Sequence, residues 1–166
     1  MNHKHTINRE IGKGIILLIS LVGVGWILLP DPELKTSAIW MRWCFLYSLP
    51  LSFGVLMLVL KRYQSDDLIR GCFSTNQGIE VERAYLQNTV EQTLITLPLA
   101  LSYGTLAPAP FLKAIPLHAL VFLIGRVLFF IGYKKSYDKR IVGFVITNYA
   151  NVGLFVGCVF WFAVTL

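Results

Sequence analysis

Five apolar runs, each close to the ~20 residues a helix needs to cross hydrocarbon, constrain this chain more than any motif. They extend from about Ile11 to Leu29, Ser37 to Leu60, Val81 to Leu106, Phe111 to Tyr133 and Ile141 to Leu166. The expected fold is therefore an all-α membrane protein. Composition agrees, since 14% of the 166 residues are charged and 55% are hydrophobic, against about 25% charged in an ordinary soluble domain. The first run ends at Pro30-Asp31-Pro32-Glu33, which stops a helix and returns the chain to water. The second opens with the interfacial aromatics Trp40 and Trp43. Pro50, Pro98 and Pro116 are expected to kink their helices or to sit near the ends, where neighbouring helices can satisfy the freed backbone groups.

A net charge of +6 suggests nucleic acid until the basic residues are located. They lie between the apolar runs, as topology signals do, and no aromatic-basic stripe suits a nucleic-acid partner. Lys4, Arg9 and Lys13 precede the first run; Lys61, Arg62 and Arg70 follow the second; Lys134, Lys135, Lys139 and Arg140 follow the fourth. The opposite face of a five-helix topology carries only Lys35, Arg42 and Lys113. The positive-inside rule then puts the N-terminus and both basic loops in the cytoplasm and the C-terminus outside. No small-x-small cleavage site follows the first run, so it reads as an uncleaved anchor helix and not as a signal peptide. Cys44, Cys72 and Cys158 are odd in number and far apart, which suits neither a disulfide framework nor a zinc site.

The segment Glu82-Arg83-Ala84-Tyr85-Leu86-Gln87-Asn88-Thr89-Val90-Glu91-Gln92 places a polar cluster at the head of the third run. A charge at the centre of a membrane helix costs roughly 2.5–3.5 kcal/mol on insertion scales, so such groups pair, line a cavity or hold a ligand. Asn88 and Glu91 are three apart and share a helical face, with Gln92 beside it. On the fourth run Arg126 and Tyr133 are seven apart and nearly in line, and Arg140 stands seven further on. These groups converge on one end of the bundle and would suit a small zwitterionic or anionic ligand. The structural alternative is an interhelical Glu91–Arg126 salt bridge and polar residues that only lock the bundle. His118 reads as an interior or interfacial histidine without metal-ligand partners, and the cysteines as packing residues. Gly12-x-Gly14 and Gly23-x-Gly25 fit helix contact and not phosphate binding, because no strand precedes them.

Glu82-Arg83, Asn88-x-x-Glu91 and then Gly125-Arg126-x-x-Phe129-x-x-Gly132-Tyr133 with Arg140 resemble the MAPEG family, the membrane-associated proteins in eicosanoid and glutathione metabolism. The resemblance covers about Ser37 to the C-terminus. It implies a left-handed four-helix transmembrane bundle that forms homotrimers, with glutathione between neighbouring subunits near the cytoplasmic face. Residues 1–36 would then be a cytoplasmic tail and an added N-terminal transmembrane helix, and 37–166 the four-helix domain. The added helix fits a bacterial-type member, and hence a bacterial inner membrane. By position, Asn88 and Glu91 would contact the peptide body and amino end of glutathione, and Arg83 a carboxylate. Arg126 and Tyr133 would belong to the same pocket. Arg140 would sit near the thiol as the first candidate for its activation, with Arg126 second. Arg83 stands five residues before Asn88, where the family usually spaces this arginine at four or seven. Phe129 occupies a place where several family enzymes carry tyrosine. The implied function is a glutathione S-transferase-like enzyme or peroxidase that attacks hydrophobic electrophiles or lipid peroxides by thiolate, with no metal. The alternative is a non-catalytic scaffold of the same fold that binds membrane lipid or another hydrophobic small molecule.

Overall fold

The computed structural model describes residues 3–29, 37–64 and 78–166. Among the described residues five helices follow one another: α1 (His3–Leu28), α2 (Ser37–Arg62), α3 (Glu80–Leu106), α4 (Ala114–Lys135) and α5 (Arg140–Thr165), with a 3-10 turn at Ala109–Phe111 between α3 and α4. No strand occurs among the described residues. The Pro30–Glu33 stop, Lys35, Arg70 and Cys72 lie outside the described residues, as does the side chain of Trp40.

The boundaries agree with the apolar runs except at α1, which begins at His3 and not near Ile11. The helix continues through the basic residues because lysine and arginine are good helix formers and Glu10 lies among them. Its carboxylate meets Lys13 at 2.8 Å and Arg9 at 3.6 Å. Among the described residues, four helices are long and apolar enough to cross a membrane, over Lys4–Leu28, Arg42–Arg62, Ala109–Lys135 and Arg140–Thr165. α3 is 27 residues long, roughly 40 Å at 1.5 Å per residue, but its first half carries the polar cluster that lowers its hydropathy. Pro50 and Pro98 lie inside α2 and α3, and Pro116 in the first turn of α4, where no intrahelical donor is lost.

α4 and α5 make the most extensive pairing, and glycines set how close they come. A Cβ added to Gly125 would stand 2.5 Å from Thr147 Oγ1. One added to Gly132 would stand 2.5 Å from the Lys139 carbonyl oxygen. Gly143 on α5 faces the backbone of Gly125 and Phe129 at equally close range. α2 packs against α3 and α4, α3 also against α5, and α1 lies outside against α5 and α4. Gly14 and Gly25 are eleven apart, within about 20° of one face. They let α1 approach Val145 and Leu117 respectively, whereas Gly12 and Gly23 have nothing within 4 Å of an added Cβ. Only one glycine of each G-x-G pair therefore makes the helix contact.

The core of the bundle gathers Tyr47, Tyr103, Ile115, Phe122 and Leu154. Tyr47 packs edge-on against Phe122, and its hydroxyl lies 2.9 Å from His118 Nδ1, so His118 is an interior side chain with a partner. Cys158 is buried against the Leu99 carbonyl and Cys44 is half-buried, both as free thiols. A polar relay joins α3 to α5: Asn151 accepts from Thr96 Oγ1 at 2.8 Å and donates to Gln92 Oε1 at 3.0 Å. Gln92 thus serves as interhelical glue, the role buried amides fill in membrane bundles.

Candidate functional site

α1, α3 and α5 begin, and α4 ends, around one cavity of about 350 Å³. Asn88 lines it from the third turn of α3, Phe129 and Tyr133 from α4, Tyr137 from the α4–α5 connection, Arg140 from the first residue of α5, and Ile7 from α1. A larger cavity of about 560 Å³ lies between α1, α4 and α5, walled by side chains such as Leu18, Trp26 and Leu117. The site chemistry belongs to the smaller one, since the charged and amide groups meet there.

Arg140 is placed by backbone contact. With no side chain at Gly132, the end of α4 lies directly against Lys139 and the Cα of Arg140. The Arg140 guanidinium carbon then lies 4.0 Å from the Tyr137 ring centroid and 4.5 Å from that of Tyr133, both cation–π distances. Tyr133 in turn packs edge-on against Phe129, 5.6 Å between centroids, as residues four apart on a helix do.

Arg126 takes a different place. It is 0% exposed and does not line the cavity. Its Nη1 donates to Asn88 Oδ1 at 2.9 Å, and its guanidinium lies 4.4 Å from the Phe129 ring centroid. Its Nε and Nη2 have no hydrogen-bond partner. Arginine is donor-only, so this bond fixes the Asn88 amide with its oxygen towards Arg126 and its Nδ2 donors available elsewhere.

The remaining candidates stand apart. Glu91 is exposed and its Oε1 accepts a 2.8 Å bond from Gln87 Nε2. The Glu91–Arg126 salt bridge is therefore not formed within the chain; Arg126 meets the Asn88 amide instead. Arg83 is exposed in the first turn of α3 and does not line the cavity. So the structure brings Asn88, Tyr133 and Arg140 together, sets Arg126 directly behind Asn88, and leaves Arg83 and Glu91 outside the wall of a single chain. Sequence reasoning passed over Tyr137 and Ile7. The two tyrosines shortly before Arg140 are a readable signal for the first, since aromatic rings near an arginine suit cation–π contact. Nothing in the sequence marks Ile7.

No curated protein and no solved structure gives a significant match to this chain. The sequence model of the MAPEG family matches residues 37–160, from the first residue of α2 into the last turns of α5, and leaves α1 outside. Because that match takes in every element but α1, including both motif blocks around the cavity, the chain belongs to the MAPEG family.

Proposed function

We propose that this protein is an integral membrane glutathione-dependent transferase or peroxidase, acting on hydrophobic electrophiles or lipid peroxides by thiolate attack. The observation that carries the reading is Arg140, held between Tyr133 and Tyr137 on the wall of a cavity that Asn88 also lines. Family membership makes glutathione the co-substrate to consider. At about 350 Å³ the cavity lies at the small end of ligand pockets. Asn88 Nδ2 suits a peptide carbonyl or carboxylate, and Arg140 an anion. Among the described residues no carboxylate lines the cavity, although glutathione carries an ammonium group. Glu91, exposed one turn beyond Asn88, is the acid that a packed second copy would bring into play. The site is therefore read as shared between subunits of a homotrimer, at the cytoplasmic end of the bundle.

A free thiol has a pKa near 8.5 and is only slightly ionised at neutral pH. A fixed guanidinium beside the sulfur favours the thiolate, and lowering the pKa by about two units requires about 2.7 kcal/mol. Arg140 is half-buried and flanked by rings, where a charge acts more strongly than in open water. The thiol proton leaves to solvent and the sulfur bonds to the electrophilic carbon as the leaving group departs with its electron pair. With a peroxide, the sulfur takes the distal oxygen as the O–O bond breaks, and a second glutathione completes the reduction to disulfide, alcohol and water. Arg126 is assigned the task of orienting Asn88. Holding the thiol at the membrane edge also places it beside apolar substrates that partition there.

The competing reading, a non-catalytic lipid-binding scaffold, is favoured by Phe129, which offers a ring to Arg126 and no hydroxyl to the cavity. Adding glutathione to the detergent-purified protein while recording ultraviolet thiolate absorbance separates the two. The enzyme reading expects a thiolate band at neutral pH and conjugation of 1-chloro-2,4-dinitrobenzene. Binding without a band or turnover, across electrophiles and peroxides alike, would establish the scaffold.

A further inference from the structure

We infer that α1, outside the family-matched region, is a working wall of the candidate site: Ile7 sets how much bulk fits beside Arg140, and Glu10 is a positioning residue that latches this wall to the α4–α5 connection. The inference rests on the reading of the cavity as the ligand site. Ile7 lines the same cavity as Asn88, Tyr133, Tyr137 and Arg140. Glu10 lies one turn further along the same helix, 2% exposed. Its carboxylate is covered by half-exposed cations. Lys13 and Arg9 supply two from α1 itself, while Lys139 reaches across from the connection at 3.6 Å. Lys139 directly precedes Arg140, so the ion pair joins the helix that carries Ile7 to the backbone that carries Arg140. Two further contacts dock α1 along its length. Gly14 accepts the side chain of Val145, and Lys113 lies 4.4 Å over the Trp26 ring at the far end. The turn holding Ile7 is beyond the glycine contact, and among the described residues Glu10–Lys139 is a polar tie one turn from it.

The test compares S-methylglutathione with S-hexylglutathione, two thioethers that differ only in bulk at sulfur, by calorimetric titration of the full-length protein. Ile7→Trp should weaken the hexyl ligand about tenfold more than the methyl ligand, within the 10–200-fold range that one methylene-scale change in a pocket produces. Ile7→Ala should shift the ratio of dissociation constants the other way. Glu10→Gln and Lys139→Gln should each move the ratio in the direction of Ile7→Ala, and the double variant should move it no further, because the two groups form one tie. An unchanged ratio in both Ile7 variants would overturn the wall, and additive shifts at Glu10 and Lys139 would overturn the latch. If neither thioether binds the unaltered protein, the glutathione reading has failed. The wall is then tested without ligand, by linking Ile7→Cys to Phe144→Cys, an α5 position that also lines the cavity, with a short bismaleimide in native membranes. Intramolecular linkage that falls in Glu10→Gln upholds the placement of α1, and absence of linkage refutes it.

Discussion

Gly132→Ala adds one methyl at the point where α4 meets the start of α5, and the structure says what must move. The new carbon would stand 2.5 Å from the Lys139 carbonyl oxygen, 2.6 Å from its carbon and 2.8 Å from the Arg140 Cα. Ordinary contact begins at 3.4 Å, so the gap must open by about 0.9 Å, and close packing leaves little room to absorb that. All three atoms are backbone, so no side-chain rotation relieves the clash. The first turn of α5 has to shift and takes Arg140 away from Tyr133 and Tyr137. Overpacking of this kind costs typically about 1–3 kcal/mol, and a 1 Å misplacement of a reacting group can lower turnover about 10²-fold. Thermal unfolding in detergent and steady-state conjugation of 1-chloro-2,4-dinitrobenzene with glutathione would read the two effects. The control is Gly12→Ala, where nothing lies within 4 Å of the new methyl. There the better helix propensity of alanine, worth about 0.5–1 kcal/mol, should leave stability unchanged or slightly raised and turnover intact. A Gly132→Ala protein with unaltered kinetics and stability would refute the claim that this backbone contact positions Arg140. Equal damage from Gly12→Ala would show that α1 is packed against something the chain alone does not contain.

Four other outcomes are expected. Arg140→Ala should nearly preserve binding of S-methylglutathione yet abolish the thiolate band, with turnover partly restored at high pH; Glu91→Ala should weaken ground-state binding by roughly 1.5–3 kcal/mol, the worth of a charge-assisted hydrogen bond, and equal binding loss in both would return Arg140 to simple ligand holding. Native mass spectrometry from detergent should show three chains, and a monomer that still binds glutathione would exclude a site shared between subunits. Asn151→Ala leaves Gln92 and Thr96 without their buried partner and should lower unfolding stability by about 1–2 kcal/mol, since interhelical hydrogen bonds in membranes range from about 0.6 to 2 kcal/mol; no change would mean that a water or a second chain replaces the amide. A reporter active only in the cytoplasm should work when fused before Met1 and fail after Leu166, and the opposite result would invert the orientation drawn from the basic loops.

The sequence made the fold legible where one physical term dominated, and misled where two terms competed. Hydropathy governs the interior of each apolar run, and there the helices fall where the runs do. At the head of α1, hydropathy and helix propensity disagree. The structure follows propensity, helped by Glu10, whose carboxylate meets Arg9 and Lys13 within the helix and Lys139 about 130 residues further on; only the last of these contacts leaves no local mark. The same contrast divides the candidate site. Phe129 and Tyr133, like Arg126 and Tyr133, could be aligned by counting turns of one helix, and Asn88 and Glu91 by the same arithmetic. Which of them face the cavity depends on how α3 rolls against α4, and counting residues carries no such information. The roll is decided by contacts that look unremarkable in one dimension. Arg126 reaches Asn88 and not Glu91, and the carboxylate is left on the outer surface beside Gln87. A fully buried guanidinium with two nitrogens unpartnered among the described residues and an exposed carboxylate one turn from its amide partner form an unequal division of charge. In a membrane such an imbalance is costly for a lone chain. The α3 face that carries Glu91 is thus the place where a second copy would do most to restore the balance.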